Sequence, residues 1–290
     1  EWLTIAHVVL LGIGTFYFCR HHGISSPAAF TAAATWMFSG PIIHHVFHGE
    51  MLHTVVWLPY ILWMLDRTLD RLCVRHAVVT GALWGLAILA GHPQIFTYMA
   101  YTMGLYYLMH LITNLRSSGR QNVFRMTGLF MIVMIIGLGL SAVVFLPTYE
   151  LVGYSERTES SLEMSASYSL DPRQLITFLM PDFFGRMDAA TWDYWGPGRD
   201  DYGHYWETYV YLGILPLLLA GSALWILRSR FVILFGLLTL LSLLVVLGDG
   251  TPFFSLFCEA VPGFNKFRAH ARIGMIQGFA VAVLAGYGMD

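Results

Sequence analysis

Long apolar runs separated by short polar segments make up most of this chain. A helix needs roughly 20 apolar residues, with a range of about 17–25, to cross the hydrocarbon core of a bilayer. The pattern therefore predicts an all-α, polytopic transmembrane helix bundle of about nine spans. Segment 52–65 is the weakest span and also fits a re-entrant or interfacial helix. The predicted spans are residues 2–19, 27–43, 52–65, 76–90, 94–115, 126–146, 208–227, 231–247 and 273–289.

Arginines collect in alternate segments between these spans. Cytoplasmic loops are enriched in Lys and Arg, whereas segments 44–51 and 91–93 contain neither. The alternation predicts that Glu1 lies outside and Asp290 lies on the cytoplasmic side. The arginine-bearing segments hold Arg20, Arg67, Arg71, Arg75, Arg116, Arg120, Arg125, Arg228 and Arg230.

One long extracytoplasmic loop is predicted at residues 147–207, within a single transmembrane domain that covers residues 1–290. Its first half is polar and acidic, and its second half is rich in Trp and Tyr. Between them we expect a short helix at 173–180, because Asp171 can cap it and Pro172 suits the first helical position. Its apolar side chains suggest that it lies on the membrane surface.

Composition agrees with a membrane protein and limits its partners. The chain has 290 residues, of which 57% are hydrophobic and 12% are charged, against about 25% charged in soluble domains. A net charge of −2 gives no reason to expect nucleic acid. The chain begins at Glu1 without a methionine, inside one apolar run, and ends at Asp290 just after another. We therefore expect a fragment of a longer protein that lacks its N-terminal part.

A histidine-rich segment is the first candidate site: His44, His45, His48, Glu50 and His53. His44 and His48 are four residues apart, so on a helix they share one face and could bind a divalent metal ion. Alternatively, the imidazoles simply sit at a membrane–water interface. The glycines and the proline in this segment argue against a continuous helix. Glu50 is its one carboxylate and a candidate catalytic base.

A compact polar turn, Gly91-His92-Pro93-Gln94, separates two long apolar runs. It is either an ordinary tight turn or the edge of a cavity in which His92 and Gln94 hydrogen-bond a polar ligand. Polar groups at membrane depth are costly and tend to serve function.

Three cations precede the last span, where the orientation rule disfavours positive charge: Lys266, Arg268 and Arg272. A helix N-terminus offers free N–H groups to an anion, and the arginine fork suits phosphate. Lipid phosphate and pyrophosphate are the natural anions at this depth. The alternatives are snorkelling at the interface or pairing with the acidic loop.

The long loop carries carboxylates among tryptophans and tyrosines, a combination that suits sugar recognition but also makes an ordinary interfacial aromatic belt. Glu207 begins a predicted span, so we expect burial to raise its pKa. It and Asp182 are further candidates for a catalytic carboxylate. The ionisable clusters are all predicted to lie at the outer ends of the spans, which indicates a function at the outer face of the membrane. The loop carboxylates are Asp182, Asp188, Asp193, Asp200, Asp201 and Glu207.

The order of several short motifs resembles the bacterial YfhO family of polytopic membrane proteins, and the resemblance extends over nearly the whole chain. The matching pieces are Phe38-Ser39-Gly40, Trp57-Leu58-Pro59, Ala90-Gly91-His92-Pro93-Gln94, Leu146-Pro147-Thr148-Tyr149-Glu150, Leu170-Asp171-Pro172-Arg173-Gln174, Pro181-Asp182-Phe183-Phe184-Gly185, Tyr209-Val210-Tyr211-Leu212-Gly213, Val261-Pro262-Gly263-Phe264 and Phe267-Arg268-Ala269.

That family looks like the GT-C glycosyltransferases. The resemblance implies a polyprenyl-phosphate-linked sugar as donor and a cell-envelope polymer or lipid as acceptor, at the outer face of the bacterial cytoplasmic membrane. In such enzymes the catalytic carboxylate usually lies in the first outer loop, which we expect upstream of Glu1. The resemblance transfers no catalytic role to His92, Gln94 or Arg268.

Two functional hypotheses follow. In the first, the chain is the core of an inverting-type sugar transferase, and the three cations neutralise the lipid-phosphate leaving group. In the second, it is a non-catalytic membrane protein that binds or flips a lipid-linked envelope intermediate. A metal transporter built on His44, His48 and His53 is a third and weaker alternative.

Overall fold

The protein is all-helical in the part of the chain that a computed structural model describes, namely residues 2–117, 119–154, 162–187, 193–199 and 202–290. Short 3-10 helices occur at Pro172–Phe178, Gly248–Gly250, Phe264–Lys266 and His270–Ile273. The α-helices are α1 (Trp2–His21), α2 (Ser26–Met37), α3 (Gly40–His44), α4 (Gly49–Val55), α5 (Leu58–Arg71), α6 (Val74–Leu89), α7 (Pro93–Ser117), α8 (Gly119–Gly153), α9 (Leu162–Ala166), α10 (Tyr202–Glu207), α11 (Ile214–Ile226), α12 (Arg230–Val246), α13 (Phe253–Ala260) and α14 (Gly274–Met289).

Three helical segments are long and apolar enough to cross a membrane: Trp2–His21, Arg120–Thr148 and His270–Met289. Shorter apolar helices occur at Val74–Leu89, Ile214–Ile226 and Arg230–Val246. An all-α chain with such helices is consistent with a membrane protein. The number of spans and the orientation of the chain stay predictions.

Two predicted spans are not continuous helices. Segment 27–43 is divided into α2 and α3, and segment 52–65 is divided into α4 and α5. A proline lies in the first turn of α3 and of α5, Pro41 and Pro59 respectively. Proline fits the first turn of a helix but cannot continue a preceding one, so each break falls just before it.

The predicted start of the long loop is also wrong, because α8 continues through Pro147 to Gly153. The 3-10 helix Pro172–Phe178 stands where a short helix is predicted. As expected, Asp171 caps it: its carboxylate accepts a hydrogen bond from Arg173 N, and its own N–H donates to Gln174 Oε1. A position on the membrane surface stays a prediction.

Helix α14 is the centre of the bundle and packs against α2, α11 and α12. It is buried continuously from Gly274 to Gly286, as expected for a helix that is apolar on all sides. The Trp36 indole N–H donates to the Met275 carbonyl at 2.9 Å, at the start of this helix. The first turn of α14 is thereby held against α2.

Small residues bring α6 and α8 into close contact. A Cβ on Gly81 would lie 2.8 Å from the Val133 carbonyl oxygen, and one on Gly137 would lie 2.3 Å from the Trp84 ring. Close approach through small residues is typical of helices packed in membranes, where apolar burial alone does not drive association. Gly139, two residues further along α8, faces open space.

We expect the Gly137→Ala variant to be less stable than the wild type by about 1–3 kcal/mol, because the methyl group overpacks against the buried Trp84. Gly139→Ala is the matched control and should be neutral or slightly stabilising, since alanine favours helix formation. Unfolding of both variants in detergent micelles measures the difference. Equal stabilities would show that α6 and α8 can separate without cost.

A polar cluster inside the bundle corrects the prediction that ionisable clusters lie only at the outer ends of the spans. Asp66, near the end of α5, is 2% exposed and accepts a hydrogen bond from His21 Nε2 at 2.7 Å. His110 of α7 is 0% exposed and lies beside it. In the predicted orientation this is the cytoplasmic end of both helices.

Candidate functional site

A pocket of about 150 Å³ forms where the start of α7 meets the irregular segment before α14. The turn before α7 contributes His92, and the segment contributes Lys266, Arg268 and Arg272. Gln94, in the first turn of α7, completes the set of five residues that the sequence singles out for substrate binding. Residues that are more than 170 positions apart in the chain therefore line one recess.

A buried ion pair lies beside the pocket. The Arg272 guanidinium donates from Nε to both oxygens of Glu207, at 3.0 and 2.9 Å, and from Nη2 to Oε1. Arg272 Nη1 also donates to Gln94 Oε1 at 3.2 Å. The side chain of Glu207 is 10% exposed and that of Arg272 is 20% exposed. Arg272 is thus partly neutralised and is not free to act as an independent phosphate ligand.

His45 is a second buried partner of Glu207. Its Nδ1 lies 2.9 Å from the Pro41 carbonyl oxygen and its Nε2 lies 3.1 Å from Glu207 Oε2. His45 is 2% exposed. The Glu207 carboxylate is therefore clamped between His45 and Arg272.

This clamp overturns the expectation that burial raises the pKa of Glu207. Burial does act in that direction, but hydrogen bonds from His45 and Arg272 and their positive charges outweigh it. The pKa falls from an ordinary value of 4.5 to about 2. A carboxylate held in this way is a poor proton acceptor, so Glu207 does not suit the role of general base.

The lowered pKa of Glu207 predicts that the stability of the protein falls in acid. A depressed carboxyl pKa stabilises the fold fully above the unfolded value near 4.5, and that contribution is lost as the pH falls towards 2. The loss should be about 3 kcal/mol for this group. The stability difference between the wild type and Glu207→Gln, measured at intervals from pH 6 to pH 2.5, isolates it from other acids. A difference that is the same at pH 3 as at pH 6 would contradict the prediction.

Gln94 has a structural role that the sequence does not reveal. Its Nε2 donates to Tyr98 Oη at 2.9 Å and to the carbonyls of Arg268 and Ala269 at 2.7 and 3.3 Å. Its Oε1 accepts from Arg272. The amide is thus engaged on both atoms by the protein, so Gln94 positions the cationic segment and is not available as a ligand.

The cationic segment is also held by its backbone conformation and by Tyr98. Ala269 is fully buried and has φ of 55°, in the left-handed region that non-glycine residues rarely adopt. Tyr98 Oη lies 2.7 Å from His270 Nδ1, and the His270 ring stacks on Phe264 at 3.9 Å. These contacts fix the segment from both sides of Arg268.

His92 is a neutral hydrogen-bond donor at the pocket. Burial, followed by the charge of Arg272, lowers its pKa to about 4. Its Nδ1 accepts a hydrogen bond from the Ile95 N–H at 3.2 Å, so the neutral ring carries its proton on Nε2. His92 can therefore donate to an anion but does not add positive charge.

Lys266 and Arg268 are the two exposed cations of the pocket. Neither forms a salt bridge within the described part of the chain. Their charge is therefore available to a ligand, in contrast to that of Arg272.

The other candidate carboxylates differ in their surroundings. Asp182 is bound to Arg186 at 2.5 Å in a surface pair, which does not suit a base. Glu50 is exposed in the first turn of α4, and its charge acts on His92. It forms no salt bridge with any described residue. Asp188, Asp200 and Asp201 lie outside the described residues.

The proposed pairing of His44 and His48 on one helix is wrong, because α3 ends at His44 and α4 begins only at Gly49. His44 stacks on Tyr209 with ring centres 3.5 Å apart. Burial, followed by the charge of His45, lowers the pKa of His44 to about 4. Among the described residues, the one group with metal-like geometry is elsewhere and contains neither of these histidines.

A larger recess of about 460 Å³ lies along the long loop. Asp171 and Arg173 line it from the 3-10 helix, Gly198 from the loop, and Asp249 from the turn after α12. Its polar lining gives a second place where a hydroxyl-rich molecule could bind.

Sequence reasoning placed His45 in the histidine-rich segment but not beside Glu207, and it missed Tyr98. His44 ends α3 and stacks on Tyr209, whereas His45 follows the helix and contacts Glu207. The contact between His45 and Glu207 joins residues 162 positions apart, so no local pattern could reveal it.

No protein-family model, no curated protein and no solved structure matches this chain.

Proposed function

We propose that the chain is a membrane glycosyltransferase that moves a sugar from a polyprenyl-phosphate carrier to a cell-envelope acceptor at the outer face of the bacterial cytoplasmic membrane. The observation that carries the proposal is the pocket at the start of α7, with Lys266 and Arg268 exposed and without salt bridges to described residues. The resemblance of the ordered motifs to the YfhO family supports it.

The charge balance around the pocket favours an anionic ligand. Lys266, Arg268 and Arg272 line the pocket, and among the described residues only Arg272 of these three is paired with a carboxylate, Glu207. Cations next to a low-dielectric wall attract a phosphate more strongly than cations in bulk water. The neutral His92 adds a hydrogen-bond donor.

The residues then have distinct roles. Arg268 and Lys266 bind the phosphate and stabilise the charge that develops on it as the sugar leaves. Gln94 and the Glu207–Arg272 pair are positioning groups that hold the segment carrying Arg268. Glu50 is the candidate base among the three proposed carboxylates, because Glu207 and Asp182 are both committed to arginine partners. The recess along the long loop suits the acceptor.

A second candidate function is binding or flipping of the lipid-linked intermediate without catalysis. The state of Glu207 favours this function. The carboxylate is paired with the pocket residue Arg272 and has a lowered pKa, so it cannot readily take a proton. In this case the pocket would dock the phosphate, and no sugar would be transferred.

Purified protein in liposomes separates these functions. The vesicles carry a radiolabelled sugar on undecaprenyl phosphate together with a crude envelope acceptor, and release of the sugar and binding of the lipid are both measured. Release of the sugar to acceptor supports the enzyme. Saturable binding without turnover supports the second function, and the absence of both would refute the phosphate pocket.

A further inference from the structure

We propose that Asp66, Asp70 and His110 form a binding site for a divalent transition-metal ion that joins α5 to α7. The three residues lie at a distance from the phosphate pocket. Gln94 and His110 are both on α7, sixteen positions apart in the sequence, which corresponds to about 24 Å along a helix. The site is therefore separate from the proposed sugar transfer and does not depend on it.

Helix geometry and helix packing bring the three proposed ligands together. Asp66 and Asp70 are one helical turn apart on α5, so both carboxylates project from the same face. His110 projects from α7, which packs against α5. One potential ligand atom from each residue lies within 4.8 Å of the other two.

His110 supplies the imidazole of the site, and one of its ring nitrogens is unpaired. Nε2 lies 2.9 Å from Asp66 Oδ1, whereas Nδ1 lies 3.6 Å from Asp70 Oδ1, which is too far for a hydrogen bond. Nδ1 has no hydrogen-bond partner among the described residues, although the ring is completely buried. An unpaired buried nitrogen is costly. Ligand atoms around a cation with bonds of about 2.1 Å lie about 3.0–3.4 Å apart, so a small movement of Asp70 would let its Oδ1 share an ion with Nδ1.

Asp66 is already arranged as a metal-binding carboxylate would be. His21 Nε2 contacts its Oδ2 at 2.7 Å, and the Tyr106 hydroxyl donates to its Oδ1 at 3.1 Å. Such outer hydrogen bonds orient a ligating carboxylate. Asp70, by contrast, has a side chain that is 48% exposed, so it can move inward to close the site and gives the ion a route of entry.

Charge also favours a cation. Two carboxylates lie close together here, and one of them is almost completely buried. Arg230 is the nearby arginine whose charge acts on Asp70, and its guanidinium lies over the Phe231 ring at 4.8 Å. Two oxygen ligands and one imidazole suit Zn²⁺ or Mn²⁺ better than Ca²⁺ or Mg²⁺, which prefer oxygen ligands alone.

The test uses the full chain in detergent, stripped with a chelator and then titrated with Zn²⁺. Bound zinc per chain is counted by elemental analysis, and the melting temperature is followed in parallel. We expect one zinc per chain and a higher melting temperature. Asp70→Asn and His110→Gln should each weaken binding by on the order of tenfold or more and abolish the stabilisation.

Asp70→Asn is the decisive variant, because an exposed side chain can be changed without disturbing folding. His48→Gln is the matched control, since it removes one histidine from the other histidine-rich segment and should keep the zinc. The proposal fails if the stripped wild type binds no zinc in the titration. It also fails if Asp70→Asn binds zinc as the wild type does, or if His48→Gln loses it.

Discussion

Replacing Arg272 by alanine should destabilise the protein by about 3–5 kcal/mol, because it leaves the buried Glu207 carboxylate without its main partner. Glu207 receives hydrogen bonds from the Arg272 guanidinium and one contact from His45. After the substitution only His45 remains to compensate the charge. Equilibrium unfolding in mixed detergent micelles measures the loss.

The surface pair of Arg186 and Asp182 provides the matched control. It joins the same chemical groups at 2.5 Å, but the arginine side chain is 66% exposed and the aspartate side chain 36%. Water and salt screen such a pair, so Arg186→Ala should cost far less than Arg272→Ala. A similar cost for the two arginine variants would show that burial of the Glu207 pair contributes nothing.

A double variant separates the cost of the unpaired charge from the value of the pair. In Glu207→Gln/Arg272→Met both charges of the pair are removed together, so neither member is left without its partner. The double variant should be more stable than Arg272→Ala, because replacing a buried ion pair by uncharged side chains of similar size costs less than leaving one charge buried alone. A double variant that is less stable than Arg272→Ala would mean that the pair stabilises the fold directly.

Local patterns were enough to predict much of the helical structure. Apolar runs locate most of the helices, although the predicted spans 27–43 and 52–65 ran through Pro41 and Pro59, each of which lies in the first turn of a new helix. The turn at Gly91 also follows from its sequence, since this residue has φ of 97°, a conformation that favours glycine. The cap at Asp171 was also predicted, because a helix cap, like a turn, depends on residues that are neighbours in the chain.

Long-range contacts could not be predicted in this way. The sequence grouped His92 with Gln94, and Arg268 with Arg272, but nothing in it shows that Gln94 holds the Arg268 carbonyl across 174 positions. The predicted direction of the Glu207 pKa shift was wrong because its hydrogen-bond partners, His45 and Arg272, come from opposite ends of the chain. Burial alone could be inferred from the sequence, and here the partners outweigh it.

Neutralising the exposed cations of the pocket should abolish most of the affinity for the lipid-linked donor. A hydrogen bond to a charged group contributes about 1.5–3 kcal/mol, so Arg268→Ala alone should weaken donor binding roughly tenfold to hundredfold. Lys266→Gln/Arg268→Ala should weaken it further. Because neither side chain has a salt bridge to a described residue, the loss reflects the ligand and not a broken internal contact.

Arg186→Gln is the control for overall charge, since it removes one positive charge at a surface pair outside the pocket lining. It should leave donor binding unchanged. Arg268→Lys should recover part of the affinity, because it keeps the charge but loses the planar fork that fits phosphate. Binding of undecaprenyl phosphate to protein in nanodiscs, measured at low and high salt, tests the series. If all of these variants bind the lipid equally, the cations only contact the membrane–water interface, and the phosphate must bind elsewhere.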